Sequence, residues 1–122
     1  MSWKLKDPET VPTRWLELKD GFHGWGDNAA AGIGFARKAD ADAFGSTIDE
    51  PTVSDSVGAA GDTWVLERDG SSPSEYLAID INGRYEYVTD ANQALQMSSS
   101  GFARNVNLIF DSDPNHTEQQ II

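Results

Sequence analysis

Residues 111–115 form the segment whose residue types and spacing come nearest to a metal-binding site. Carboxylate and amide oxygens alternate along it, as they do at the start of an EF-hand calcium loop. The rest of the segment departs from the EF-hand pattern, because His116 stands where glycine is needed and Ile122 stands where the closing glutamate is needed. A solvated acidic turn is the alternative. The candidate calcium ligands are Asp111, Asp113 and Asn115.

The two histidines are the next candidates for chemistry. His23 could serve as a general base beside Asp27, because imidazole titrates near neutrality. Nothing near it in the sequence resembles an activated nucleophile, so packing on Leu18 within a hairpin is the preferred interpretation. The chain has no cysteine, which excludes a thiol nucleophile, a disulfide and a zinc–thiolate site.

Nucleotide-binding and glycosidase motifs are not apparent. The glycines between Gly24 and Gly34 match neither the three-glycine dinucleotide fingerprint nor a P-loop, which needs Gly-Lys-Ser/Thr. Glycoside hydrolysis needs two carboxylates across a cleft. Because the chain has 20 acidic residues, some such pair could always be proposed, and its presence is not evidence for this activity. We therefore predict no enzymatic activity and no cofactor.

Aromatic residues raise the possibility of sugar binding, since aromatic faces stack on pyranose rings. Tyr85 and Tyr87 share a predicted strand face with apolar residues and should belong to the core. Trp15 alternates off the apolar face of its strand, so it is the candidate for an exposed platform.

The elements that would position these residues are mostly strands. Short alternating segments separated by tight turns predict an antiparallel β-sandwich or small barrel of about six to eight strands. One short helix is expected near residues 90–97, where Asp90 can cap it. A single β domain would span 1–110, with a long loop at about 45–62, and an extended C-terminal tail would span 111–122. We find no internal repeat.

Two hairpins can be assigned a register. A two-residue turn at 20–21 suits the first, and a three-residue loop at 81–83 keeps the faces of the second consistent. The predicted pairs are Leu18 with His23, Leu16 with Trp25, Ile79 with Tyr85 and Leu77 with Tyr87. Other expected elements are strands at 3–5, 32–36, 64–68 and 102–110 and a helical turn at 39–44.

The net charge of -11, from 20 acidic and nine basic residues, restricts the partners. Direct binding to nucleic acid or to an anionic membrane needs Lys and Arg and is not expected. Adaptation to high salt, attraction of a basic partner and ordinary acidity remain as explanations. The N-terminus lacks the apolar core of a signal peptide, and no segment is long and apolar enough to span a membrane.

These observations favour a non-enzymatic structural or assembly protein, located in a virion or in the cytoplasm. We expect a capsid decoration, head-completion or tail protein of a virus of a halophilic host, forming a homo-oligomer or a larger assembly with protein partners. Strand-like segments at both ends could add to a partner's sheet. A carbohydrate-binding β-sandwich module is the alternative. An enzyme would need a pocket that joins His23 to a second titratable group. The candidate partner-binding residues are Trp3, Leu5, Trp15, Ile121 and Ile122.

Overall fold

Alternation of buried and exposed residues along short strands builds two antiparallel sheets, which form a small β-sandwich. The computed structural model describes residues 2–57, 63–110 and 116–121. The first sheet contains β1 (Ser2–Lys6), β2 (Trp15–Lys19), β3 (Phe22–Gly26), β4 (Gly34–Phe35) and β5 (Val53–Val57). The second contains β6 (Thr63–Arg68), β7 (Tyr76–Ile79), β8 (Tyr85–Val88) and β9 (His116–Ile121). The two helices of this part of the chain are α1 (Lys38–Gly45) and α2 (Ser100–Asn107). The predicted mainly β class is confirmed.

The predicted registers of both hairpins are confirmed. Leu16 pairs with Trp25 across the first, where Asp20 and Gly21 both adopt positive φ and close a two-residue turn. Ile79 pairs with Tyr85 across the second. Turn chemistry and alternation are local properties, so a single sequence is enough to specify them.

The strand predicted at 102–110 is wrong, because this segment forms α2 followed by a 3₁₀ turn at Leu108–Phe110. The Ser99 hydroxyl accepts a hydrogen bond from the Phe102 amide and caps the helix. Ala103 and Val106, three residues apart, are both buried against the core. Val106, Leu108 and Phe110 alternate as residues on one face of a strand do, which is why the sequence predicts a strand here.

Residues 90–97 are mostly extended, in place of the expected helix. Asp90 does cap a turn, but the turn is a 3₁₀ segment at Ala91–Gln93. Leu95 then donates its amide to the Leu77 carbonyl, and Met97 forms bridges with Phe35 and Trp64. The predicted loop at 45–62 contains β5, and the predicted tail contains β9, which pairs with β6 along its length.

The two sheets repeat one order of elements, so the described chain consists of two similar halves, residues 2–57 and residues 63–110 with 116–121. Each half runs strand, loop, hairpin, 3₁₀ turn, short extended segment, helix and final strand. In each half the final strand pairs antiparallel with the first. The expectation of no internal repeat is therefore wrong for the structure.

Corresponding residues of the halves lie 61 or 62 positions apart as far as the turns after the helices, and 64 apart in the final strands, where Val57 corresponds to Ile121. Before the hairpin loops the spacing is 61, as with the pairs Lys6–Trp15 and Glu67–Tyr76. From there to the turns after the helices it is 62, because the second hairpin loop has one more residue. Thus Asn28 and Asp90 cap corresponding 3₁₀ turns. The helices α1 and α2 also begin 62 residues apart.

The halves meet through reciprocal contacts, which indicate a twofold relation between them. The Ala36 amide donates to the Gln96 carbonyl at 2.8 Å, and the Ser98 amide donates to the Gly34 carbonyl at 3.0 Å. Each hairpin tip also reaches the turn that follows the other half's helix. Gly21 lies against Leu108, and its counterpart Gly83 lies against Ser46, the counterpart of Leu108.

Arg37, in the first half, adds side-chain hydrogen bonds between the two halves. Its guanidinium donates to the Asn92 carbonyl at 2.7 Å and to the Ala94 carbonyl at 2.8 Å, both in the second half. It also pairs with the buried Asp40 carboxylate. Burial raises the pKa of Asp40, and the hydrogen bonds and charge of Arg37 oppose that rise. Ser99 stands at the corresponding position of the second half and caps α2 instead.

Candidate functional site

The predicted calcium ligands and Ile122 lie outside the described residues, so their roles stay predictions. Asp111, Asp113 and Asn115 all fall within the segment between the two described ranges that end at 110 and begin at 116. Among the described residues, no group of three or more His, Asp or Glu side chains is placed to hold a metal ion.

Trp3 and Leu5 belong to a central strand of the protein itself. β1 pairs with β5 on one side and with β2 and β4 on the other, and Leu5 is buried in the core. Their predicted role as a strand that adds to a partner's sheet does not fit this placement. Ile121 pairs with Thr63 and lines a shallow surface cavity of about 440 Å³.

The outward side of the first hairpin brings Trp15 together with residues that the sequence analysis did not single out. We call this surface the outer hairpin face; it consists of Trp15, Glu17, Lys19, Phe22 and Gly24. These residues share one side because Trp15 pairs with Gly26, Glu17 with Gly24 and Lys19 with Phe22.

Phe22 is the most distinctive residue of the outer hairpin face, since 78% of it is exposed. Nothing lies within 4 Å of the position that a side chain at Gly24 would occupy, which leaves the middle of the face open. Trp15 is half-buried at the other end. A shallow cavity of about 430 Å³ lies beside Phe22. The alternation pattern could have indicated Phe22, because it faces away from Leu18.

His23 points to the inner side of the same hairpin and lies near the carboxylate of Glu50, which belongs to the segment between α1 and β5. Its Nε2 lies 3.4 Å from Glu50 Oε1, and Trp25 Nε1 donates to Glu50 Oε2 at 2.6 Å. The carboxylate beside His23 is therefore Glu50 and not the predicted Asp27. Glu50 was missed because it lies in a long irregular segment with no local pattern.

An open cavity of about 210 Å³ lies where the two halves meet, and His23 forms part of its wall. Leu18, Phe44 and Ile48 from the first half and Ile109 from the second provide apolar walls. Tyr85 and Thr47 also line it. Burial raises the pKa of Tyr85, and the Thr47 contact opposes that rise. The cavity therefore joins His23 to a second titratable group, but the raised pKa of Tyr85 keeps its hydroxyl protonated at neutral pH, so the pair does not supply an activated nucleophile.

His116 lies apart from this cavity, in a buried polar network of the second half. Its Nε2 is 2.8 Å from the Tyr87 hydroxyl, and its Nδ1 is 3.0 Å from Asn107 Oδ1. Burial lowers the pKa of His116; the negative charge of Asp69 raises this pKa, and the positive charge of Arg68 lowers it. With neighbours on both ring nitrogens, the imidazole holds β9 against α2 and β8.

Comparisons with protein-family models, with curated proteins and with solved structures gave no match. Function must therefore be argued from the surfaces just described. No helix in the described ranges is both long and apolar enough to cross a membrane.

Proposed function

We propose that the protein is a non-enzymatic structural protein that attaches to a larger assembly through the outer hairpin face and the adjoining edge of β3. The proposal rests on Phe22, which is 78% exposed and belongs to β3, an edge strand of the first sheet. A large aromatic side chain at such a position is the kind of anchor on which protein interfaces rely.

The β3 edge supports a strand-pairing mode of attachment. In a hairpin with a two-residue turn, Lys19 and Phe22 form a hydrogen-bonded pair, so the backbone groups of His23 and Trp25 point away from β2. Among the described residues β3 pairs only with β2, which leaves these groups facing outward. A partner strand could add there, with Phe22 entering a pocket of the partner.

We further propose that the assembly is a virion of a halophilic host, with the protein as a decoration, head-completion or tail component. The support is compositional: net charge -11 with 13 Asp and only four Lys. Dense carboxylates keep a surface hydrated and repel other acidic proteins. Mass spectrometry of purified particles should find the chain, and its absence from every particle fraction would remove this setting.

Photo-cross-linking tests the docking surface directly. A benzophenone amino acid placed at Phe22 should cross-link one defined structural protein in cells that make the assembly. The same residue at Ile81, which is 100% exposed at the tip of the other hairpin, is the matched control and should not. Equal products from both positions, or none from either, would contradict the proposal.

A carbohydrate-binding module is the second candidate, because Trp15 and Phe22 lie on the same face. Polar Glu17 and Lys19 lie between them and could bond sugar hydroxyls. This candidate predicts retention on a polysaccharide column that Trp15→Ala abolishes. An unchanged elution volume for the wild type on every polysaccharide tested would exclude it.

A further inference from the structure

We propose that the cavity between the two halves is a binding site for a small ring-sized amine. This site is separate from the outer hairpin face, and neither depends on the other. Its size fits such a ligand, since about 210 Å³ exceeds the roughly 150 Å³ of an apolar cavity that holds benzene. It is smaller than the roughly 300–1,000 Å³ of sites for larger ligands.

The residues that line the cavity suit a ligand with one ring and one polar substituent. Phe44, Ile48 and Ile109 offer apolar surface for a ring. The hydroxyls of Tyr85 and Thr47 and the imidazole of His23 are the polar side-chain groups among the lining residues, and each can bond a polar substituent. A few placed polar groups in a mainly apolar concavity are the usual composition of a small-molecule site.

The repeat shows that this space could have been filled by a side chain. Ile48 of the first half corresponds to Phe110 of the second, 62 residues later. The Phe110 ring packs edge-on against Tyr85, with 5.0 Å between ring centres. Tyr85 in turn corresponds to His23. The first half therefore has an isoleucine and an imidazole where the second half has two packed aromatic rings.

The charge around the cavity favours a cation. Glu50 does not line the cavity but lies 3.4 Å from His23, which does, and its half-exposed carboxylate can accept a hydrogen bond from an ammonium group held beside His23. The net charge of -11 adds long-range attraction for a cation and repulsion for an anion.

Titration with three ligands of one ring size tests the proposal on the whole chain. Benzylamine, benzyl alcohol and benzoate would be added while NMR follows the side chains of His23 and Tyr85. We expect saturable shifts at both, with benzylamine bound at least about tenfold more tightly than benzoate. Glu50→Gln should weaken benzylamine by about threefold or more and leave benzyl alcohol unchanged.

Ile48→Phe copies the second half and should fill the cavity. It should weaken benzylamine binding by about tenfold or more while the protein stays folded. Val53→Phe, at an exposed position of β5, is the matched control and should bind as the wild type does. Absence of saturable shifts for benzylamine, tighter binding of benzoate, or unchanged binding by Ile48→Phe would each overturn the proposal.

Discussion

His116 shows how one buried side chain can make the whole fold sensitive to pH. Its pKa in the folded protein lies below the ordinary value of 6.5, mainly because of burial. As the pH falls, the unfolded chain therefore takes up this proton before the folded protein does. The stability that neutral His116 contributes is fully present above about pH 6.5 and is lost as the pH falls from there toward the folded pKa.

Urea denaturation at about pH 7.5 and about pH 5.5 should show a lower free energy of unfolding at the lower pH. His116→Gln cannot titrate, so its free energy should fall less over the same interval. If His116→Gln shows the full decrease, the cause lies in another group.

Lys4 marks the limit of what local pattern shows at this scale. Alternation places it on the polar face of β1, opposite the side chains of Trp3 and Leu5. In the structure Lys4 is buried, its Nζ donates to the Gly32 carbonyl at 2.7 Å and lies 4.9 Å from the centre of the Phe102 ring. The covering residue comes from the other half, nearly a hundred positions away, and no local pattern contains it.

At the scale of elements, the hairpin tips link the two halves, and glycine substitutions can measure that link. Gly21, Gly70 and Gly83 all have positive φ, between +76° and +86°, so alanine is unfavourable at each. A methyl group at Gly21 would come 2.5 Å from the Leu108 carbonyl oxygen. At Gly83 it would come 2.9 Å from the Ser46 hydroxyl oxygen, and at Gly70 it would meet nothing within 4 Å.

Gly70→Ala should therefore cost only the conformational term, about 1 kcal/mol. Gly21→Ala should cost about 2–4 kcal/mol, because a backbone carbonyl cannot move aside as a side chain can. Gly83→Ala should fall between them. Chemical denaturation gives the three free energies, and equal losses for Gly21→Ala and Gly70→Ala would show that the tip does not dock.

The hairpins were predictable in register, whereas α2 and the extended segment after Asp90 were not. Turn residues and alternation decide a hairpin within a dozen residues. The segment ending at Met97 carries helical spacing, and the one ending at Phe110 carries alternation. Each adopts the other conformation, because pairing of Met97 with Phe35 and packing of Val106 on the core outweigh local preference.

The whole molecule is a pair of similar halves whose sequences have diverged. Only a few corresponding residues are identical, among them Trp3 with Trp64, Leu5 with Leu66, Pro12 with Pro73, Leu16 with Leu77 and Ala41 with Ala103. The conserved feature is the pattern of burial and pairing, which appears only once the strands are assembled. A sequence scan at a fixed period also fails, because the spacing changes from 61 to 62 at the second hairpin loop.

Net charge is the other property of the whole molecule, and it predicts a response to salt. Unscreened repulsion at -11 opposes the folded state, and raising KCl from about 0.1 M to about 1 M shortens the Debye length from about 10 Å to about 3 Å. The melting temperature should rise by at least about 3 °C, which corresponds to about 1 kcal/mol.

A variant of reduced charge provides the control. Glu9 and Glu86 are exposed, and replacing both by Lys changes the net charge by +4, from -11 to -7. This double variant should melt higher than the wild type at low salt and gain less from added KCl. A melting temperature that stays constant or falls with KCl in the wild type would contradict the repulsion argument.

The most direct test of the proposed assembly role is sedimentation with the high-molecular-mass fraction of producing cells. Wild type, Phe22→Asp and Ile81→Asp would be compared, with circular dichroism showing that each is folded. The docking proposal predicts that the wild type and Ile81→Asp co-sediment, while Phe22→Asp loses about tenfold or more of the bound fraction. Co-sedimentation of Phe22→Asp at the wild-type level, or a wild type that remains a free monomer at every salt concentration, would contradict it.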